Sequence, residues 1–392
     1  MKKIYFDHNA TTPIDKEVLD VMFPVLGDMY GNPSSIHWAG REVRGLVETA
    51  REKAAGLIGA QPNEIVFTSC GSESDNLAIK GAFLKNKNRG NHIITTSVEH
   101  PAVLEVCKYL AKNGAEVTFL KVDSEGLFDI DDLKKAIRKE TILITVMHAN
   151  NETGVIFPLE EVGKIAREKG ILFHTDAVQT AGKIPLDVNE LNVDMLSIAG
   201  HKIYGPKGVG LLYVRKGVKL ENLIHGGHQE RNRRAGTENT AFIIGMGKAC
   251  EVAKRDLHLY SDKVKGLKDK MEGELLKQIK SSRVNGHLRK RVPSTSNMSY
   301  LFIEGESILL NLDMYGVAAS SGSACSSGSL DPSHVLLAMG LTHEEAHGSI
   351  RLSLGKENTE QEIDYVVKIM PEIVERLRKI SPLYEAKMEK AI

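Results

Sequence analysis

Between about residues 40 and 250, short apolar runs alternate with amphipathic stretches of helical period. No other feature restricts the fold of this chain as strongly. The runs EIVFTSC, NHIITTSV, AEVTFLKV, TILITVMH, GILFHTDA, VDMLSIAG and GVGLLYVR have strand composition and length. Between them, SESDNLAIKGAFLKN, HPAVLEVCKYLAKNG, IDDLKKAIRK and LEEVGKIAREKG repeat apolar residues at helical spacing. Such alternation requires crossover connections, and so predicts an α/β fold with a mostly parallel sheet covered by helices on both faces. A sheet of that kind carries its functional loops at the carboxyl ends of its strands. After a long helical stretch from near Glu238 to about Ile279 the pattern changes, and STSNMSYLFI and SIRLSLG become strands among helices. A smaller α+β unit is expected there. The implied division is an N-terminal arm over 1–15 associated with a small domain over 256–392, and a large domain over 16–255.

Lys+Arg and Asp+Glu each number 51, so no bulk charge calls for a nucleic acid or an anionic membrane. No apolar run approaches the roughly 20 residues that span a bilayer. The N-terminus MKKIYFDHNATTP meets a charge at Asp7, too early for the apolar core of a signal peptide. A cytoplasmic protein is expected, with no membrane and no direct nucleic-acid partner. The 4 cysteines show no CxxC spacing, which argues against a disulfide framework or a structural zinc site. Cys107 and Cys250 sit in apolar helical patterns and are expected to be small buried hydrophobes. Cys325 differs, because its surroundings, SSGSACSSGS, cannot build an apolar wall around a thiol.

The strand ends concentrate chemistry. In SIAGHKIYGPKG, Lys202 follows a strand and precedes a glycine-rich turn; alone it would be a surface lysine. ILFHTDAVQ places Asp176 and Gln179 just past another strand. A buried aspartate against a pyridinium nitrogen keeps that ring an electron sink, and a lysine amine forms the imine that an aldehyde cofactor needs. VFTSCGSESDN turns directly into a helix whose N-terminal N–H groups suit a phosphate, although the Ser72 to Asp75 spacing also fits an ordinary capping box. His100 in SVEHP is either a helix cap before Pro101 or a ring stacked on an aromatic cofactor. MHANNETG adds Asn150 and Asn151 at a further strand end. His225 and His228 in HGGHQERNRRAGTEN could suggest a metal pair. No cysteine stands in the segment to complete one, and a glycine-rich crossing to a neighbouring subunit, with Arg231, Arg233 and Arg234 at the interface, competes with that idea.

Taken in order, YFDHNATTP, YGNPSSIH, TSCGSESDN, SVEHPAVL, HANNETG, HTDAVQTAGK, AGHKIYGPKG, GGHQERNRRAGTEN, SSGSACSSG and HGSIRLSLG cover nearly the whole chain. They resemble the NifS/IscS-type cysteine desulfurases, fold-type I enzymes dependent on pyridoxal 5'-phosphate (PLP). The phrase around Cys325 resembles the group that carries its cysteine on a long loop, here about 318–332. The resemblance implies Lys202 as the cofactor-linking amine, Asp176 as the pyridinium partner, Gln179 at the ring oxygen and His100 over the ring. It further implies a phosphate site from Gly71, Ser72, Gly200 and His201, joined by Thr237 from the other subunit of a homodimer. Asn151 would lie near ring and substrate, Asn32 would contact substrate, and Arg351 would clamp the substrate carboxylate with its planar fork. Ala199 and Cys70 depart from the family's usual serine or threonine and glycine, and Ser72 stands for its usual threonine.

The implied reaction converts L-cysteine to L-alanine and leaves a persulfide on Cys325. A carrier that must both attack and deliver needs reach, and each residue adds at most about 3.5 Å. The attacking species is a thiolate, and His100 is the candidate for passing its proton. Expected acceptors are an iron–sulfur scaffold protein of the IscU type, tRNA-thiolation enzymes or other sulfur carriers. Cys325 would also be a ligand to a transient [2Fe-2S] cluster shared with such a scaffold. Two alternatives stay open at this point: an aminotransferase on the same cofactor, which has no use for Cys325, and a weakly catalytic assembly platform.

Overall fold

A computed structural model describes residues 3–321 and 331–384. Strand β1 (Ile4–Tyr5) opens the chain. The runs expected as strands then form β2 (Ile65–Thr68), β3 (His92–Thr96), β4 (Glu116–Leu120), β5 (Thr141–Thr145), β6 (Leu172–Asp176), β7 (Met195–Ala199) and β8 (Gly210–Val214). They build a seven-stranded sheet of order β2-β8-β7-β6-β5-β3-β4. All its pairings are parallel except the two made by β8. Residues of β3, β5 and β7 are buried throughout, which explains their near-continuous apolar sequence. β4 closes one edge and is half exposed, consistent with Glu116 and its ion pair to Arg138.

Helices cover both faces. One face packs Ile65, Phe67, Ile144, Phe173 and Ile198 against apolar residues of Lys16–Gly27, Trp38–Leu57, Leu159–Lys169 and Thr240–Arg255. Trp38–Leu57 and Thr240–Arg255 approach so closely that a Cβ on Gly247 would lie 2.4 Å from the Ala50 Cα. The other face packs Val66, Ile93, Leu143 and Leu212 against Gly71–Asn86 and Pro101–Ala111.

A separate hydrophobic core gathers Ile4, Phe6, Met271, Met298, Tyr300, Ile350, Leu352 and Val366. Its strands are β9 (Ser282–Val284), β10 (Thr295–Tyr300), β11 (Val317–Ala318) and β12 (Ser349–Ser353). β10 lies antiparallel between β12 and β9, while β1 pairs in parallel with β11. The helical stretch expected as continuous to Ile279 is instead broken after Arg255, and a π-helical turn at Tyr260–Val264 leads into Lys265–Gln278. The break has tertiary causes: Asp256 turns to the Lys356 ammonium at 2.9 Å, and Tyr260 is buried in the second core.

Candidate active site

β2, β3, β5, β6 and β7 run in one direction, so their carboxyl ends meet at one edge of the sheet. There a cavity of about 360 Å³ is lined by Gly71, Ser72, His100, Asn151, Asp176, Gln179, His201, Lys202 and Arg351, among others. These residues come from six separated segments of sequence. A larger cleft of about 640 Å³ near the C-terminal helix, lined by Phe302, His347 and Leu383, holds none of the residues singled out from sequence.

Lys202 ends the short turn Gly200–Lys202 that follows β7. Its Nζ donates to the Ala10 carbonyl at 2.8 Å and to the Asn9 carbonyl. Gly200 has no room for a side chain, since a Cβ there would lie 2.9 Å from the Pro206 carbonyl oxygen. Asp176 ends β6, is buried, and accepts the Val178 N–H at 2.9 Å. Burial pushes its carboxyl up to about 6, while the Val178 N–H and the Lys202 charge pull it back. A cationic ring nitrogen beside it would restore full ionisation.

The helix Gly71–Asn86 begins at the cavity wall. Ser72 is therefore not its cap, and the expected Ser72–Asp75 capping box does not form. Instead Cys70 Sγ accepts the Glu73 N–H, and the Glu73 carboxylate accepts the Ser69 N–H at 2.7 Å. Gly71 and Ser72 lie where helix N–H groups have no intrahelical acceptor, a setting suited to phosphate. A Cβ on Gly71 would meet the Val178 side chain at 3.1 Å, so this wall is already tight. His201 bonds Thr11 Oγ1 through Nδ1 at 3.2 Å.

His100 is the N-cap of Pro101–Ala111, its Nδ1 accepting the Ala102 N–H at 3.1 Å. Accepting through Nδ1 puts the neutral ring's proton on Nε2. Burial and the Lys202 and His334 charges lower its pKa to about 4.

Arg351 on β12 is 3% exposed. Its Nη1 donates to the Asn151 carbonyl at 3.0 Å and its Nη2 to Asp7 Oδ1 at 2.9 Å. Its Nε is buried and has no hydrogen-bond partner among the described residues. Asn32 and Thr237 do not join the cavity of this chain: Asn32 is exposed and accepts the Ser34 N–H, and Thr237 is exposed too. Cys325 lies outside the described residues. The chain leading to it is placed, since Ser320 exchanges both backbone hydrogen bonds with Arg351.

Several site residues were missed from sequence. Asn9 joins the parts: its carbonyl accepts from Lys202 and Gln179, and its Nδ2 donates to the Asn151 carbonyl and Thr295 Oγ1. Lys183 lies buried behind Gln179. Asp75 and Glu99 are buried carboxyls whose pKa values burial raises, with Asp176 adding to each. Glu152 is buried and accepts the Ser333 hydroxyl. The runs YFDHNATTP, TSCGSESDN and HANNETG contained several of these residues. No spacing rule gave them a place at the site: Asn9 and Asp75 line the cavity itself, while Lys183, Glu99 and Glu152 lie behind it.

The donor set fits PLP: an amine, a buried carboxyl for a ring nitrogen, an amide for a ring oxygen and a helix start for a phosphate. The chain belongs to the class-V aminotransferase family, whose model matches residues 4–366. Within that family it is 55% identical over 381 residues to a protein of Dictyoglomus turgidum named cysteine desulfurase IscS, covering 97% of each. A solved NifS-like protein superposes with a TM-score of 0.90 at 41% identity, covering 96% of this chain and 100% of that one. SspA, solved in complex with cysteine, superposes at 0.80 with 39% identity, covering 91% and 100%.

Proposed function

We propose that the protein is a PLP-dependent cysteine desulfurase that converts L-cysteine to L-alanine and leaves the sulfur as a persulfide on Cys325. The observation that carries this reading is the meeting of Lys202, Asp176, Gln179, His100 and Arg351 on one cavity, in a chain whose relatives bear that name. When bound, PLP withdraws electron density from the substrate's α-carbon.

The chain's own residues do the rest. Lys202 would hold the cofactor through its aldehyde, and the Asn9 and Ala10 carbonyls fix its amine beforehand. Asp176 would serve the ring nitrogen, Gln179 and Asn151 the ring oxygen, and His100 would lie over the ring. Gly71, Ser72, Gly200 and His201 take the phosphate. Arg351 has used two of its five N–H donors, and the remainder suit the substrate carboxylate. The Cys325 thiolate attacks the substrate sulfur. An S–S bond forms as the C–S bond breaks, and the bond's electron pair stays with the substrate carbon, which takes up a proton and leaves as alanine. Cys325 lies five residues beyond Ser320, a reach of at most about 18 Å. His100 can take the thiol proton on Nδ1 only by giving up its cap, a cost of about 0.5–2 kcal/mol.

A homodimer completes the reading. Phe23, Leu26, Tyr30, Ile36 and Trp38 are exposed along and after the helix Lys16–Gly27, an apolar surface that a second copy would cover. Asn32 lies within it, and Thr237 would reach the partner's phosphate. The second core supports a small domain with the N-terminal arm on it, although Val335, Leu336, Met339, Leu341 and Ala346 pack in the first core. Sulfur acceptors would be an IscU-type scaffold or other carriers, in the cytoplasm. Among the described residues no helix is long and apolar enough to cross a membrane.

Reduction of the PLP-loaded protein with borohydride, followed by peptide mass spectrometry, tests the cofactor site. A pyridoxyl group on the Lys202 peptide is expected, and its appearance on another lysine would refute the assignment.

A further inference from the structure

Lys183 is a second lysine at the site, 3% exposed, and neither hydrogen-bonded acceptor is charged. Its Nζ donates to Gln179 Oε1 at 3.1 Å and to Asn9 Oδ1 at 3.2 Å. A lysine only donates, so both amides must turn their oxygens toward it. The nitrogens then point away: Gln179 Nε2 donates to the Asn9 carbonyl at 3.1 Å, and Asn9 Nδ2 to the Asn151 carbonyl at 3.2 Å. A flipped Gln179 would set its NH₂ against the ammonium.

We propose that Lys183 is a positioning residue that acts through Gln179, fixing that amide with its nitrogen toward the cavity and strengthening its remaining N–H as a donor to an anionic ring oxygen. The inference rests on the PLP reading above. Among the described residues no anion pairs with this buried cation, and an anionic ligand one amide away would supply one. Burial, with the Lys202 and Arg351 charges, lowers the Lys183 pKa to about 7. An anion arriving beside Gln179 therefore favours protonation. The other titratable groups around Lys183 are His8 and, beyond Gly182, the Lys356–Asp256 ion pair with Tyr204 and Tyr260.

The test uses the holoenzyme and its Lys183→Met, Lys183→Gln and Lys183→Arg variants. Two quantities are read: the PLP dissociation constant, and the pH midpoint at which the bound cofactor's absorbance changes. Losing a neighbouring cation and a donor to the ring oxygen both favour the protonated chromophore. Met and Gln should raise the midpoint by about 1 unit and weaken PLP binding about tenfold, while Arg restores both. If Met and Gln retain no cofactor while Arg does, the need for charge is upheld. Native affinity and an unmoved midpoint in Lys183→Met would overturn the proposal. Failure of Arg together with Met and Gln would also overturn it, by making shape rather than charge the requirement. Should the unsubstituted protein bind no PLP, the cofactor reading itself fails, which is a distinct result.

Discussion

Replacing Arg351 by lysine separates substrate binding from structure. The guanidinium is 3% exposed and uses one donor on the Asn151 carbonyl and one on Asp7. Lysine keeps the charge and can hold Asp7, but it cannot also present two parallel N–H bonds to a substrate carboxylate. One charge-assisted hydrogen bond is lost, worth about 1.5–3 kcal/mol. That corresponds to a rise of about 10- to 150-fold in the KM for L-cysteine. The Asn151 carbonyl also loses one of its two donors, keeping Asn9 Nδ2, so stability should fall by about 1 kcal/mol. Initial rates of alanine formation across cysteine concentrations give KM, and PLP absorbance checks that the site is loaded. A KM within twofold of native, with only the melting temperature lowered, would show that Arg351 is a structural ion pair and refute the carboxylate role.

Other outcomes are as definite. His100→Asn keeps a good N-cap but removes the ring, so loading should survive while sulfur release falls sharply; undiminished release would leave His100 only its cap. Glu230 accepts from Arg51 at 2.7 and 2.9 Å and from the Phe67 N–H at 2.9 Å, all buried. Glu230→Gln leaves the buried Arg51 only the partly exposed Glu48 carboxylate, at 3.2 Å from its Nε, and should cost about 3 kcal/mol in urea unfolding; a loss below about 1 kcal/mol would contradict the buried-pair account. His8, His92, His100, His148 and His201 are held near pKa 4, and His174 near 3, chiefly by burial. Between about pH 4 and 6.5 the unfolded chain binds more protons than the fold, so stability rises with pH there. Asp75, Glu99 and Asp176 oppose this, the last two raised to about 8 and 6, with smaller rises at Glu152, Asp194 and Glu238, but less than the six histidines favour it. The melting temperature should drop on acidifying from pH 7 to 5, and an unchanged or higher value would contradict the account.

Much of the site was legible because it lies at strand ends. Seven apolar runs became the seven sheet strands, and the crossover rule then placed Asp176, His100 and Lys202 on one edge. Arg351 was legible only through the resemblance, on the strand SIRLS. What was not legible depends on long-range contact. Asn9 reaches Lys202 across 193 residues, and the Asp7–Arg351 pair spans 344. No periodicity encodes such meetings. The Ser72–Asp75 box looked right by spacing, but the helix starts at Gly71, which turns Asp75 inward and leaves the cap to Cys70. The break after Arg255 was missed because Tyr260 and Asp256 answer to partners beyond their own helix.

The most direct test of the central claim is alanine production from L-cysteine by the purified PLP-loaded protein, beside its Cys325→Ala variant. The account predicts alanine from the native protein, a persulfide on its Cys325 peptide, and neither product from the loaded variant. Alanine formation undiminished in Cys325→Ala, or none from the native protein with PLP bound at Lys202, would contradict it.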